Sequence, residues 1–161
     1  MEIHWRFKVS DVSSDEIKKL EEFLGVTFPD DYLECIRENN GAMPVPNFFE
    51  VNGREMSFGA LLSINEKDVE NIRMVFEALE ERLPSEIIPF SIDAGGNFIC
   101  FDYKNGTQSV PSIVFFDHEQ GYAINDLDED QLARKPLELW LREALEPVCN
   151  TFSELLSMLC D

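Results

Sequence analysis

The chain has 161 residues, of which 32 are acidic and 13 basic, for a formal charge of −19. A field of that sign repels nucleic acid and anionic membranes and speeds encounter with basic partners. Hydrophobic residues make up 44%, including 13 Phe, which excludes a disordered polymer and suits one ordinary domain with a real core.

From the N-terminus, Ile3, Trp5, Phe7 and Val9 alternate with period two and predict a short strand or extended lead-in. The first residues lack the apolar stretch of a secretory signal, from which a cytoplasmic location is expected. Ser13 with Glu16 three residues on reads as a capping box. Ile17, Leu20 and Leu24 follow at helical spacing, and Gly25 marks the helix end. A second helix is expected from Pro29, with Asp30 and Asp31 on the positive end of its dipole and Tyr32, Leu33 and Ile36 facing inward. Asn39-Asn40-Gly41 stops it. Asn52-Gly53 between apolar runs is a hairpin signal, and Ala60–Ile64 either extends that sheet or leads into the next helix. Asn65, with Asp68 at the third position, is expected to cap a helix carrying the stripe Val69, Ile72, Phe76, Leu79 and Leu83, which Pro84 ends.

Three short runs rich in Ile, Val and Phe then occupy 87–92, 98–101 and 113–116, separated by Gly/Asn/Asp clusters, and predict three antiparallel strands. None is long enough to cross a bilayer. Tyr122–Asn125 predicts a further short strand, 126–135 an acidic loop, and Pro136 the start of a helix bearing Leu137, Trp140, Leu141, Ala144 and Leu145 that Pro147 interrupts. Thr151 and Glu154 read as a second capping box before a last helix. Helices, strands, a helix, strands and helices in that order indicate a single α+β domain with a mostly antiparallel sheet.

Cys35, Cys100, Cys149 and Cys160 are scattered with no C-x-x-C pair, which argues for reduced structural thiols and against a zinc knuckle or disulfide framework. Cys100 lies inside a buried-type strand, where a thiol is inert.

Asp93, Asp102, Asp117, His118 and Glu119 all fall at predicted strand ends. They admit two readings, a metal-assisted hydrolase or ordinary turn chemistry. A metal needs donors that converge on one point, whereas Asp93 and Asp102 sit at opposite ends of one strand and 117–119 are consecutive. Turns explain the same residues without a metal, because Asp and Asn bond their own backbone there. His118-Glu119 lacks the second His of a zinc-protease helix, and the Asp126–Asp130 run lacks the Gly and Glu of a calcium loop. No catalytic residue, metal ligand or cofactor is therefore assigned.

Leu24-Gly25-Val26-Thr27-Phe28-Pro29-Asp30-Asp31-Tyr32, followed by Asn39-Asn40-Gly41, resembles the SUKH superfamily, which includes fungal cell-wall assembly regulators and many bacterial toxin-immunity proteins. The resemblance continues through Ile88-Pro89-Phe90, Asp93-Ala94-Gly95-Gly96-Asn97, Ile99–Asp102, Val114–Glu119 and the closing Thr151–Leu156. Its motif positions here are Leu24, Gly25, Pro29, Tyr32, Asn40, Gly41, Asp93, Gly96, Asn97 and Asp117. The departure is an acidic, Trp140-bearing insert at 126–148, within one SUKH-like domain over 1–161. The resemblance implies a non-catalytic protein that binds and neutralises a toxin, often a nuclease, encoded beside it; a regulatory or scaffolding module of the same fold is the alternative.

Between Glu86 and Ala133 nine acids face one base, Lys104. Glu119, Asp126, Asp128, Glu129 and Asp130 are the expected partner-binding face for a basic toxin domain or, alternatively, a plain solvated surface, with Trp140 as anchor or, alternatively, as a core residue.

Overall fold

The computed structural model describes residues 2–161. β1 (His4–Arg6) is paired antiparallel with β2 (Met43–Val45), and between them run α1 (Ser14–Leu24) and α2 (Asp30–Asn39). The Ser13 hydroxyl accepts from Glu16 N at 3.1 Å, and the Glu16 carboxylate accepts from Ser13 N at 3.2 Å, closing the capping box. α1 ends at Gly25, whose N–H reaches Glu21 O at 2.8 Å. Pro29 stands at the N-cap of α2, and the buried Tyr32, Leu33 and Ile36 form its inner face.

β3 (Phe48–Val51) and β4 (Arg54–Ser57) form the hairpin around Asn52-Gly53. β5 (Ala60–Leu61) joins a different, five-stranded antiparallel sheet with β6 (Ile87–Ile92), β7 (Phe98–Asp102), β8 (Ser112–Phe116) and β9 (Leu145–Cys149), in that spatial order. α3 (Ile72–Ala78) precedes β6; α4 (Glu129–Arg134) and α5 (Leu137–Leu141) precede β9, with single 3-10 turns at Ile124–Asp126 and Arg142–Ala144. α6 (Phe152–Met158) closes the chain, capped by the Thr151 hydroxyl on Glu154 N at 3.0 Å. The result is an α+β domain with antiparallel sheets. Among the described residues no helix is long and apolar enough to cross a membrane.

The central strands bury both faces, which is why they read as unbroken apolar runs. Ile88, Phe90, Ile99, Phe101, Ile113 and Phe115 face the larger core with α1, α2 and α6. Ile87, Cys100, Val114 and Phe116 face a smaller one, closed by Leu83 and Ala144. Tyr32 sits at the centre of the larger core, edge-on to Phe101 at 5.1 Å and Phe152 at 5.5 Å, with Phe90 stacked on Phe101 at 4.2 Å.

Asn40 explains the Asn of the motif that ends α2. It is wholly buried, donates to Ser10 Oγ at 3.0 Å and Ser63 Oγ at 2.9 Å, and accepts from Ile64 N at 2.9 Å. Ser10 and Ser63 both donate onward to Asp68 at 2.6 Å. A buried network with every member satisfied locks the N-terminal segment, the end of α2 and the 63–68 turn together. Gly41 follows with φ +78°, and a Cβ there would lie 2.7 Å from Val9 Cβ.

Several local expectations are overturned. Asn65 caps no helix: it accepts from Lys67 N in a turn, because Asp68 is taken by Ser10 and Ser63. Asn71 caps α3 instead, accepting from Met74 N at 2.9 Å, and Val69 is 85% exposed. The alternation at the N-terminus stops at Arg6, since Phe7 turns out of the strand at φ +65°. Tyr122–Asn125 is not a strand; Asp126 accepts from Ala123 N and curls the chain into a 3-10 turn. The acidic stretch is not all loop: Asp128 and Gln131 make a reciprocal capping box that starts α4. Residues 145–149 are a strand and not the end of a helix, because the free edge of β8 pairs with them. Pro147 lies beside a register shift in that pairing, where an edge strand tolerates it.

Candidate partner-binding surface

Glu119, Asp126, Asp128, Glu129 and Asp130 are all exposed. None takes part in an ion pair among the described residues. Asp128 and Asp126 each use one oxygen to cap backbone N–H groups, at 2.8 Å and 3.0 Å, which fixes the carboxylates in place without neutralising them. Glu129 and Asp130 occupy the first turn of α4, where the helix dipole favours them.

Trp140 is neither a core residue nor a free anchor. It is half-buried, and its indole N–H donates to the carbonyls of Gln131 and Lys135, each at 3.1 Å. Tyr122 meets its ring edge-on at 5.2 Å, and the Lys135 ammonium sits 3.9 Å over its face while pairing with Glu143. Trp140 thus staples the end of α4 to α5 and to the 122 segment.

The segment is held to the sheet by a residue that sequence reading missed. Arg142 bonds Asp102 through both guanidinium nitrogens, at 2.9 Å and 3.1 Å, and Glu86 at 2.7 Å. The Asp102 side chain is 1% exposed. The bonds to Asp102, and after them those to Glu86, hold the Arg142 guanidinium above its usual pKa against the opposing effect of burial. Glu86, Asp102 and Arg142 are far apart in sequence, and no local pattern signals the cluster.

The strand-end residues serve turns and this ion pair. Asp93 accepts from Gly95 N at 2.8 Å and Asn97 N at 2.9 Å, closing the β6–β7 turn through Gly96. Asn97 Oδ1 accepts from His118 N at 3.1 Å and lies 2.7 Å from His118 Nδ1, so that nitrogen carries the hydrogen. Asp117 accepts from Glu119 N at 3.0 Å. The register pairs Phe98 with Phe116 and Asp102 with Ser112, placing Asp93, Asp117 and His118 at one end of the sheet and Asp102 at the other. Among the described residues no three His, Cys, Asp or Glu side chains gather so as to hold a metal ion. Burial, with the Asp102 charge behind it, pushes the Cys100 thiol far up, and burial pushes Cys35 and Cys149 to about 11.

The SPbeta prophage-derived uncharacterized protein YokK of Bacillus subtilis (strain 168) is 24% identical over 137 residues, covering 71% of this chain and 66% of that protein's length, so the chain spans slightly less than two thirds of that relative. Residues 11–158, a span that includes the acidic segment and every structural motif position named above, match the SMI1 / KNR4 family (SUKH-1). A match over nearly the whole length means that the chain belongs to the SMI1/KNR4 (SUKH-1) family.

Proposed function

We propose that the protein is a non-catalytic binding module that neutralises a basic toxin domain, most simply a nuclease, encoded beside it. The observation that carries this reading is the set of exposed, unpaired carboxylates at Glu119, Asp126, Asp128, Glu129 and Asp130. A nuclease presents a cationic surface to nucleic acid, and an acidic face of this kind competes for it by charge and bulk. Preorganisation supports the reading further. The carboxylates ride on capped turns stapled by Trp140 and tied to the sheet by Arg142, so little ordering cost remains at binding. Trp140 serves the surface by fixing the helix that carries the acids. Membership of a family with many toxin-immunity proteins supports the class of partner.

Co-expression with the product of the adjacent gene is the direct test. Relief of that product's toxicity is expected; a harmless neighbour, or toxicity that persists, ends the immunity reading. With the complex in hand, Asp126→Asn, Asp128→Asn, Glu129→Gln and Asp130→Asn combined are expected to slow association about tenfold or more at low salt, with the difference closing at high salt. The amide replacements keep the caps, so the fold is not at issue. Unchanged association kinetics would remove this face from the interface.

A further inference from the structure

The turn between α3 and β6 leaves a notch of about 180 Å³ in the surface. Its walls are Phe76 and Leu79 from the end of α3, Leu83 and Pro84 from the turn, and Ile87 and Pro89 from β6. The notch has a topological cause. Among the described residues β5 pairs only with Ser91 and Ile92 and no strand flanks the first half of β6 on that side, where Pro89 has no N–H to offer one. α3 covers this edge, and a short helix against a proline-bearing strand leaves an apolar gap at its end.

The rim is acidic. Glu80 lines the notch and Glu81 follows it, both exposed and both without an ion-pair partner among the described residues. The neighbouring cation, Arg82, is turned to the carbonyls of His118 and Gln120, at 2.8 Å and 2.9 Å. Ile124 N donates to Glu81 O at 2.9 Å, which sets this rim directly against the turn that Asp126 closes. The acidic surface therefore continues from Asp126 to the mouth of the notch.

We propose that the notch receives one Phe side chain of a partner protein, presented on a segment whose flanking residues are Lys or Arg. An apolar pocket of one-side-chain size with an acidic rim matches an apolar residue between cations, and it supplies the desolvated anchor that the carboxylate face lacks. The charge of the segment rests on the reading of the partner as basic; the apolar anchor rests on the notch alone.

The test uses the full chain and three labelled peptides followed by fluorescence anisotropy: Lys-Arg-Lys-Phe-Lys-Arg-Lys, the same peptide with Ser for Phe, and Gln-Ser-Gln-Phe-Gln-Ser-Gln. The first is expected to bind, and the Ser version to bind about 10- to 100-fold more weakly. In a ¹H–¹⁵N correlation spectrum the amides of Leu79, Leu83 and Ile87 shift with the first peptide. Ser85→Trp fills the notch from its exposed rim and is expected to lose the same factor with melting temperature unchanged. Glu80→Gln with Glu81→Gln touches the rim alone, and is expected to weaken the basic peptide severalfold at low salt. Equal binding of the Phe and Ser peptides overturns the notch while leaving the acidic-face reading standing. Equal binding of the basic and Gln-flanked Phe peptides overturns the basic occupant and counts against that reading. No binding by any of the three, with a folded protein, overturns the inference outright.

Discussion

Arg142→Met tests how the acidic segment is fastened. The substitution removes three charge-assisted hydrogen bonds and strands Asp102, whose side chain is 1% exposed, with Lys104 N as its one remaining partner among the described residues. Breaking a buried pair from one side costs about 3–5 kcal/mol, because a charge is left in a poor environment. Arg142 itself is 24% exposed, so the lower end applies and about 3 kcal/mol is expected. With a urea slope of about 2 kcal/mol per molar, the unfolding midpoint falls by about 1.5 M. Asp102→Asn added to Arg142→Met removes the stranded charge and keeps an acceptor for Lys104 N, so it should restore more than half of the loss. Glu86→Gln, which leaves the bidentate pair intact, is expected to cost about 1 kcal/mol or less. Urea unfolding of the parent, Arg142→Met, Asp102→Asn and the double variant closes a double-mutant cycle. If Arg142→Met costs under about 1 kcal/mol, or the second substitution adds its own loss, the pair is a surface contact and the account of the segment's attachment fails.

Other consequences are as direct. Among the described residues the fully buried hydroxyl of Tyr32 has no hydrogen-bond partner, so Tyr32→Phe is expected to raise stability by about 1 kcal/mol and the melting temperature by about 2–4 °C; a loss would mean the hydroxyl is bonded after all. Gly121 has φ +78° and a Cβ there would lie 2.6 Å from Ala144 Cβ, so Gly121→Ala should cost about 1–3 kcal/mol in urea unfolding, and an unchanged midpoint would show that the turn yields freely. Thiol chemistry follows exposure and pKa. A chromogenic aryl disulfide at pH 8 should label exposed Cys160 first, Cys35 and Cys149 slowly, and Cys100 only on unfolding. With thiols near 11, about a thousandth of Cys35 and Cys149 is thiolate at pH 8, so their rates rise with each step of pH towards 11; flat rates would refute that burial controls them.

Elements whose signals were local and unopposed could be read directly from residues. Ser13 with Glu16, Gly25, Pro29, Asn52-Gly53 and the three apolar runs at 87–116 all form what their patterns predict. Failures came where a distant partner outbid a local signal. Asn65 with Asp68 is as good a cap in sequence as Asn71 with Met74, but Ser10 and Ser63 claim the Asp68 carboxylate from across the fold. Leu145–Cys149 follows a helix and holds a proline, yet the unpaired edge of β8 offers more hydrogen bonds than another helical turn does. The start of α4 carries a local signal, since Asp128-x-x-Gln131 is a capping box in plain sequence. For the candidate site, the carboxylates of the acidic run at 126–130 could be read as solvent-facing from their charge. What holds them could not, because Arg142 meets Asp102 and Glu86 only after the sheet has formed.

On the proposed reading the acidic segment does two jobs, and this constrains how a binding surface could evolve on it. Ala144 and Leu145 cover the smaller core on the second face of the central sheet, while the exposed carboxylates at Asp126, Asp128, Glu129 and Asp130 precede Trp140 in the chain. Loss of the segment would therefore bare Cys100, Val114 and Phe116 to water and unfold the sheet it decorates. The structural half is pinned by Gly121 against Ala144, by Arg142 on Asp102 and by Trp140 on two backbone carbonyls. The carboxylates on α4 and its cap form no ion pair among the described residues. On the proposed reading, substitutions at Glu129 and Asp130 retune a partner's charge preference at little cost to folding, provided Asp126 keeps an oxygen for Ala123 N and Asp128 one for Gln131 N.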